Sequence, residues 1–305
     1  MKKKLSVVVI TLTPFDENGA FDEPQYRRQL RRLRDAGVSV YVAGSGSSEG
    51  YALSPDELDR VLAVSVEELK GKVPFRAMGC EPRLPSEMVT FMRHAERAKV
   101  DAAQIFSLDI GHGSKPTDQE LEAYYNTVIE STSLPIYLSS HQASGYFLPL
   151  DLVAKLVDRF PQIAGIAYAG PSIQYLAELI RRVGDRIEVH CAGPGNALSV
   201  FGLGGNGFMG SEGNFLPEVV QSVVRAAEAD DKEALRQTFD RLMAFSTITE
   251  KFGGSSMRGI KPLMNAFGLP GGTLRPPRKP ISDAQRDVMI KQVMALNLPG
   301  IPSLV

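Results

Sequence analysis

Apolar and polar positions alternate in blocks along the first three quarters of the chain. Short runs of β-branched and apolar residues are each followed by a longer segment in which apolar residues recur at the helical period. The runs that predict strands are Leu5–Thr11, Val38–Ala43, Val73–Gly79, Ala102–Phe106, Ile136–Ser139, Ile163–Ala167, Ile187–Cys191 and Gly207–Met209. The segments that predict helices begin near Pro24, Pro55, Pro85, Thr117, Leu150, Ser172, Asn196 and Pro217. Eight such units favour a closed (β/α)8 TIM barrel over an open doubly wound sheet.

The alternation ends near residue 225. Beyond it, three helical patterns follow one another, over Asp231–Glu250, Met257–Phe267 and Ser282–Leu296. The stretch between the last two is rich in proline and glycine and cannot be helical. The pattern therefore predicts a barrel over residues 1–225 and a C-terminal three-helix segment over residues 226–305.

Two local signals refine these elements. Ser54 with Glu57, and Ser282 with Gln285, have the spacing of capping boxes at helix starts. The glycines between residues 202 and 213 precede and occupy the eighth strand instead of linking a strand to a helix. They predict close backbone packing, with a phosphate-binding turn as the alternative.

Composition and charge exclude several classes of partner. The 305 residues include 34 basic and 35 acidic side chains, a net charge of −1. That balance leaves no basic surface for nucleic acid or an anionic membrane. No apolar run reaches the roughly 18 residues of a membrane-spanning helix. The lysine-rich start resembles a signal peptide, but Thr13–Asp16 follows the apolar run where a cleavage site would lie, so we expect a buried strand. Two cysteines in no metal-type pair are typical of a reducing, cytoplasmic location.

In this fold the active site lies at the carboxyl ends of the strands. The segment after the second strand, residues 44–50, is made of small residues, and Ser47 and Ser48 could bind a carboxylate with their hydroxyls and backbone amides. An ordinary flexible turn is the alternative. His112, His141 and His190 also follow strands, whereas His94 falls in a helix and is expected to be structural.

Several motifs, in order and spacing, carry a resemblance to a known family. They are Thr13-Pro-Phe, Gly46-Ser-Ser-Glu49 with Leu53-Ser-Pro-Asp-Glu57, Lys115-Pro-Thr117, the glycine-rich block through Ser211, and Lys261 with Arg275-Pro-Pro277. Nearly end to end, the chain resembles the dihydrodipicolinate synthase / N-acetylneuraminate lyase family of pyruvate-dependent lyases. The resemblance implies a barrel with C-terminal helices, a homotetramer and a small-molecule carboxylate as substrate. No cofactor is expected.

The chain departs from that family at its chemical positions. The family forms a Schiff base on a lysine of the sixth strand, and here Ala167 stands in that place. Ser139 stands where the family has a proton-relay tyrosine, while Tyr137 lies two residues earlier on the same face of the strand. Lys115 is the one lysine after a strand that could substitute. We therefore identify a divergent member that lacks the Schiff-base lysine.

These residues predict a carbon–carbon or carbon–oxygen lyase, an aldolase or a dehydratase, for a small 2-oxo acid or related carboxylate. Tyr137, His141 and Tyr168 are the candidate catalytic residues. Substrate-binding candidates are Ser47, Ser48, Ser139 and Met209. One alternative is a non-catalytic carboxylate binder or sensor. Another is a metal-assisted aldolase that uses the histidines with Asp109 or Glu212, although no short-spaced histidine pair supports it and we assign no metal ligand. The sequence leaves the identity of the substrate open.

Overall fold

The computed structural model describes residues 3–301, 303 and 304, so Met1 and Lys2 of the basic start lie outside the described residues. Eight parallel strands form one closed barrel in chain order. The strands are β1 (Ser6–Ile10), β2 (Ser39–Val42), β3 (Phe75–Met78), β4 (Ala103–Ile105), β5 (Ile136–His141), β6 (Ile163–Ala169), β7 (Glu188–Ala192) and β8 (Gly207–Gly210).

Helices alternate with these strands and continue after the last of them. They are α1 (Glu23–Ala36), α2 (Pro55–Leu69), α3 (Pro85–Ala98), α4 (Asp118–Glu130), α5 (Leu150–Arg159), α6 (Ile173–Val183), α7 (Ala197–Gly202), α8 (Pro217–Glu228), α9 (Lys232–Lys251), α10 (Ile260–Ala266) and α11 (Asp283–Ala295). The predicted (β/α)8 barrel and its C-terminal helices are confirmed, because strands and helices occur in the predicted order and place.

Local chemistry explains where the helices begin. Ser54 caps α2 and Ser282 caps α11, and both form the complete predicted capping boxes with Glu57 and Gln285. The glycines before β8 pack closely, as expected: a Cβ on Gly205 would lie 2.5 Å from the Val200 side chain. Short apolar strands therefore alternate with helices, and the residues at the helix ends determine where the helices begin.

The chain divides into two compact units. The first, which we call the central unit, joins the described chain up to Leu5 with Phe75–Met209. The second, the flanking unit, joins Ser6–Pro74 with the chain from Gly210 onwards. This division follows contacts and differs from the sequence-based boundary at residue 225, which stays a prediction.

In the flanking unit, a buried asparagine fixes the segment before α8 to the end of β1. The Asn214 Oδ1 accepts a hydrogen bond from the Leu12 amide at 2.9 Å, and its Nδ2 donates to the Ile10 carbonyl at 2.8 Å. Gln29 of α1 donates to the same side chain at 3.1 Å. One side chain thus satisfies backbone groups that would otherwise be buried without partners.

Candidate active site

In the central unit, three neighbouring strands bring Ser139, Ala167 and His190 side by side. Ser139 of β5 is in register with Ala167 of β6, which is in register with His190 of β7. The adjoining residues Ser140 and Tyr168 contact helix α6. Because side chains alternate across a strand, Ser139, Ala167 and His190 face the opposite side, the barrel interior.

These three positions are buried and chemically unequal. Ser139 and His190 are each 1% exposed, and Ala167 is 4% exposed. Within the described residues the Ser139 hydroxyl has no hydrogen-bond partner, although its carbonyl accepts from Ser107 at 2.9 Å. Burial lowers the pKa of His190 well below its usual value, and the charge of Arg76 adds to this effect. The imidazole is therefore neutral at pH 7, and the Ala167 methyl offers neither a donor nor a nucleophile.

A charged network lies at the amino-terminal end of the same interior face. The Tyr137 hydroxyl donates to Glu188 Oε2 at 2.8 Å, and Arg76 Nη2 lies 2.7 Å from that oxygen. The Arg76 guanidinium stacks 3.7 Å from the centre of the Tyr137 ring. His190 Nδ1 is 3.9 Å from the same carboxylate oxygen. Gly165 makes room for the ring, since a Cβ there would lie 2.3 Å from Tyr137 Cε1.

His141 ends β5, two residues beyond Ser139 on the same face. Its Nδ1 accepts a hydrogen bond from the Ala143 amide at 2.9 Å, which leaves the proton of the neutral ring on Nε2. Burial lowers the pKa of His141, and the charge of Glu81 acts weakly in the other direction. His141 is therefore a neutral imidazole at the carboxyl end of the strand. His112 and Lys115, which follow β4, are exposed.

Tyr168 faces the helix layer. Its hydroxyl contacts the backbone of Ser172, donating to the carbonyl at 3.2 Å and accepting from the amide at 2.9 Å. Its ring packs 5.4 Å from Phe147 and 4.8 Å from Tyr175, measured between ring centres. The contacts on this side of the sheet are those of a packing residue that fixes the start of α6.

Met209 lies on β8, in register with Ala192 of β7. It is 4% exposed, and its carbonyl accepts a hydrogen bond from the Gly193 amide at 2.8 Å. The side chain shares the interior face with Gly207, which is itself in register with His190. The positions that flank His190 on β6 and β8 are thus alanine and glycine.

In the flanking unit, the predicted carboxylate-binding serines lie in a buried loop after β2. The Ser48 hydroxyl donates to the Thr11 carbonyl at 2.6 Å, and the Ser47 hydroxyl to the Ser255 carbonyl at 3.4 Å. Gly50 allows the loop to close on itself, because a Cβ there would lie 2.2 Å from the Ala43 carbonyl oxygen. Both hydroxyl protons are directed at carbonyls, so backbone amides are the donors that this loop offers an anion.

A buried ion pair fixes the same loop. Glu49, which adopts left-handed backbone angles with φ of 52°, pairs with Lys261 of α10. Lys261 also donates to the Thr13 carbonyl at 2.8 Å and the Thr273 carbonyl at 2.7 Å. Burial lowers the pKa of Lys261 to about 8 and raises that of Glu49, so desolvation outweighs attraction in both partners.

Other kinds of site find little support in the described part of the chain. Residues 3–301, 303 and 304 contain no group of three histidine, cysteine, aspartate or glutamate side chains that could hold a metal ion. Over those same residues, none of the helices combines the length and apolar character that crossing a membrane requires.

The structure thus brings Ser139 into register with Ala167 and places Tyr137 and His141 on the same face, at its two ends. It places Tyr168 on the other face. Sequence reasoning had not connected His190 with Ala167, since register between strands is not visible in one chain. The signal for the network was present, because Arg76 and Glu188 interrupt runs that are otherwise apolar.

Comparisons with known proteins agree with this architecture. The model of the "Dihydrodipicolinate synthetase family" matches residues 3–296. A "4-hydroxy-tetrahydrodipicolinate synthase" of Acidobacterium capsulatum is 27% identical over 276 residues, 90% of each chain. A protein of Methylobacterium radiotolerans named "Probable 5-dehydro-4-deoxyglucarate dehydratase" is 29% identical over 280 residues, also 90% of each chain. The structure of YagE from E. coli K12, "in complex with pyruvate", has a TM-score of 0.88 at 22% identity and covers 96% of this chain and 99% of that one, which shows a shared fold.

Proposed function

Because the chain belongs to the dihydrodipicolinate synthetase family, we propose that it is a lyase for a small 2-oxo acid or related carboxylate that works without a lysine Schiff base. The relatives named above are a synthase and a dehydratase. The reaction proposed here is correspondingly an aldol cleavage or a dehydration. Both reactions require a proton transfer at the carbon next to a carbonyl group.

One observation carries the proposal. Ala167 occupies the interior position of β6, between Ser139 and His190, at the place where the resemblance locates the reactive lysine. Imine formation needs an uncharged primary amine within reach of the carbonyl, and a methyl group cannot supply it. Lys261 is buried with a lowered pKa, but it is held by Glu49 and two backbone carbonyls. Lys115 is exposed.

We also propose that the loop of Ser47 and Ser48 binds a small carboxylate. Small residues at this point allow backbone amides to approach an anion, and the serine hydroxyls fix the loop by donating to backbone carbonyls. Neutral donors to a charged carboxylate are each worth about 1.5–3 kcal/mol. YagE in complex with pyruvate gives the class of ligand to test first.

Turnover of a defined panel tests the proposal. The purified protein is incubated with 4-hydroxy-2-oxo acids and with deoxy-hydroxy sugar acids, and ¹H NMR follows the release of a 2-oxo acid or the loss of water. Each reaction is repeated after treatment with borohydride in the presence of substrate. Activity that survives this treatment supports a lyase without an imine. Activity that is lost, together with a mass increase on a lysine, contradicts it.

A non-catalytic carboxylate binder is the second candidate, favoured by the same missing amine at Ala167. Binding of 2-oxo acids in calorimetry, with no turnover of any panel member, would support it over the lyase. For the metal-assisted alternative, the described residues supply no set of three ligands.

Two proposals concern assembly and location: the homotetramer rests on the resemblance, and the cytoplasm rests on the two cysteines of the sequence. We propose a homotetramer in the cytoplasm. Light scattering at micromolar concentration should give four times the chain mass, and a monomer at that concentration would contradict the tetramer.

A further inference from the structure

We infer that His190 is the catalytic base of this site and that Ser139 binds the carbonyl oxygen of the substrate, the two acting together across Ala167. The inference rests on the proposed function, since it supplies the proton transfer that a lyase without an imine requires. Ser139 and His190 form a noncovalent pair that recognises the C2 carbonyl and the C3 hydrogen of a 2-oxo acid.

Small residues lie between and beside the Ser139 and His190 side chains on the interior face. Ser139 and His190 stand on either side of β6, so their backbones are two interstrand spacings apart, about 9.5 Å. The residue between them is alanine, and the residue beyond His190 on β8 is Gly207. The positions beside the imidazole therefore carry only a methyl group and a hydrogen, and the Ser139 hydroxyl lies beyond the methyl group.

The Ser139 hydroxyl is a hydrogen-bond donor that has no acceptor among the described residues. It is 1% exposed and has no hydrogen-bond partner among the described residues. Its proton is therefore available to an acceptor on a ligand. The 2-oxo oxygen is an acceptor of the right kind, and it becomes a stronger one as an enolate forms.

Two opposite charges, those of Arg76 and Glu188, lie beside His190, and burial together with the charge of Arg76 lowers the pKa of the ring. Glu188 Oε2 lies 3.9 Å from Nδ1, and its charge opposes that of Arg76, which binds the same oxygen. Tyr137 also donates to that oxygen, which keeps the carboxylate in place. The ring is neutral at rest because it is buried. It becomes a cation only when a negative enolate forms beside it, so the two charges stabilise each other.

The transfer of the C3 proton to His190 needs no reactant other than the 2-oxo acid. The C3–H bond of the 2-oxo acid breaks, and its proton moves to the His190 ring. The electron pair forms the C2–C3 double bond, and the carbonyl π electrons move to the oxygen, which accepts a hydrogen bond from Ser139. Return of the proton restores the ketone. In an aldol cleavage or a dehydration, the enolate carries the electrons that the bond change needs.

Proton exchange isolates this step from the rest of the reaction. Pyruvate and 2-oxobutyrate are incubated with the protein in D₂O, and ¹H NMR measures the loss of the C3 signal above the rate in buffer. His190→Gln should slow catalysed exchange by about 10²–10⁴-fold, the usual contribution of a positioned base. Ser139→Ala should slow it at least about tenfold. His94→Gln is the matched control, because His94 is a half-buried histidine of α3 bonded to Arg97, and it should exchange at the wild-type rate.

The wild-type protein gives a test that does not depend on a folded variant. The chain has four histidines, so their side-chain ¹⁵N signals can be assigned and followed as pyruvate is added. The His190 ring signals should shift at saturation, whereas those of His94 should not. His190 signals that stay unmoved at saturating pyruvate would overturn the inference even where every variant misfolds.

The outcomes separate the inference from the proposed function. Exchange that is unchanged in His190→Gln but lost in His141→Gln would name a different base and overturn the inference alone. A borohydride-stable adduct on a lysine would overturn the proposed function, and the inference with it. No exchange of either acid by the wild-type protein would overturn the inference and favour the binder.

Discussion

The buried ion pair between Lys261 and Glu49 offers a direct test of how the serine loop is held. Replacing Lys261 by Met keeps most of the volume but removes the positive charge and two hydrogen bonds to backbone carbonyls. Glu49 is then a buried carboxylate without its counter-charge. Removing one partner of a buried pair costs about 3–5 kcal/mol. We expect the free energy of unfolding to fall by up to that amount at pH 8, where Lys261, with a pKa of about 8, is about half protonated.

The cost should depend on pH. Burial already raises the pKa of Glu49, and losing Lys261 removes the main effect that opposes it. A carboxyl whose folded pKa lies above its unfolded value favours folding below the unfolded pKa, and that contribution is lost as pH rises through the folded pKa. In Lys261→Met the loss of stability should therefore be smaller near pH 5 than at pH 8.

Urea unfolding followed by circular dichroism, at one fixed protein concentration, measures these free energies. The double variant Glu49→Gln/Lys261→Met removes both charges and should be more stable than Lys261→Met at pH 8. Lys291→Met, at an exposed position of α11, is the matched control and should stay within about 0.5 kcal/mol of wild type. A Lys261→Met protein within 1 kcal/mol of wild type at both pH values would refute the assignment of a buried, charged pair.

Three further predictions follow from the same contacts. Ser47→Ala/Ser48→Ala should weaken binding of a 2-oxo acid at least about tenfold in calorimetry, because both hydroxyls fix the loop whose amides bind the anion; unchanged affinity would remove these serines from the site. Ala167→Lys should gain a pyruvate adduct that borohydride traps, without gaining lysine-dependent turnover, because Ser139 stands where the family has its tyrosine; mass spectrometry and the NMR panel check the two parts. Gly165→Ala should lower the free energy of unfolding by about 1–3 kcal/mol, since its Cβ would meet the Tyr137 ring at 2.3 Å. Gly202→Ala, which meets nothing within 4 Å, should not.

The barrel could be predicted because its signals are local. Each apolar run and each proline or serine at a helix start acts within a few residues, as the capping box of Ser54 and Glu57 shows. The period of two also placed Tyr137 and Ser139 on one face. Applied to β6 in the same way, it would have put Tyr168 on the face opposite Ala167, where the structure has it.

What could not be predicted depends on register and burial between distant segments. Nothing in the sequence aligns His190 with Ala167, because that pairing is set by the closure of the barrel. The partners of Glu188 come from β3 and β5, over a hundred residues earlier for Arg76. The burial of Lys261 depends equally on a loop more than two hundred residues away. The sequence contains these residues, but only the fold shows which of them lie next to one another.

The central claim is that no lysine of this chain forms an imine with the substrate. Intact-mass spectrometry after incubation with pyruvate and borohydride tests it most directly, with Ala167→Lys as the positive control. We predict an unchanged mass for the wild-type protein and an added 1-carboxyethyl group, the reduced imine of pyruvate, on a lysine of the variant. A stable adduct on any lysine of the wild-type chain, Lys261 or Lys115 above all, would contradict it.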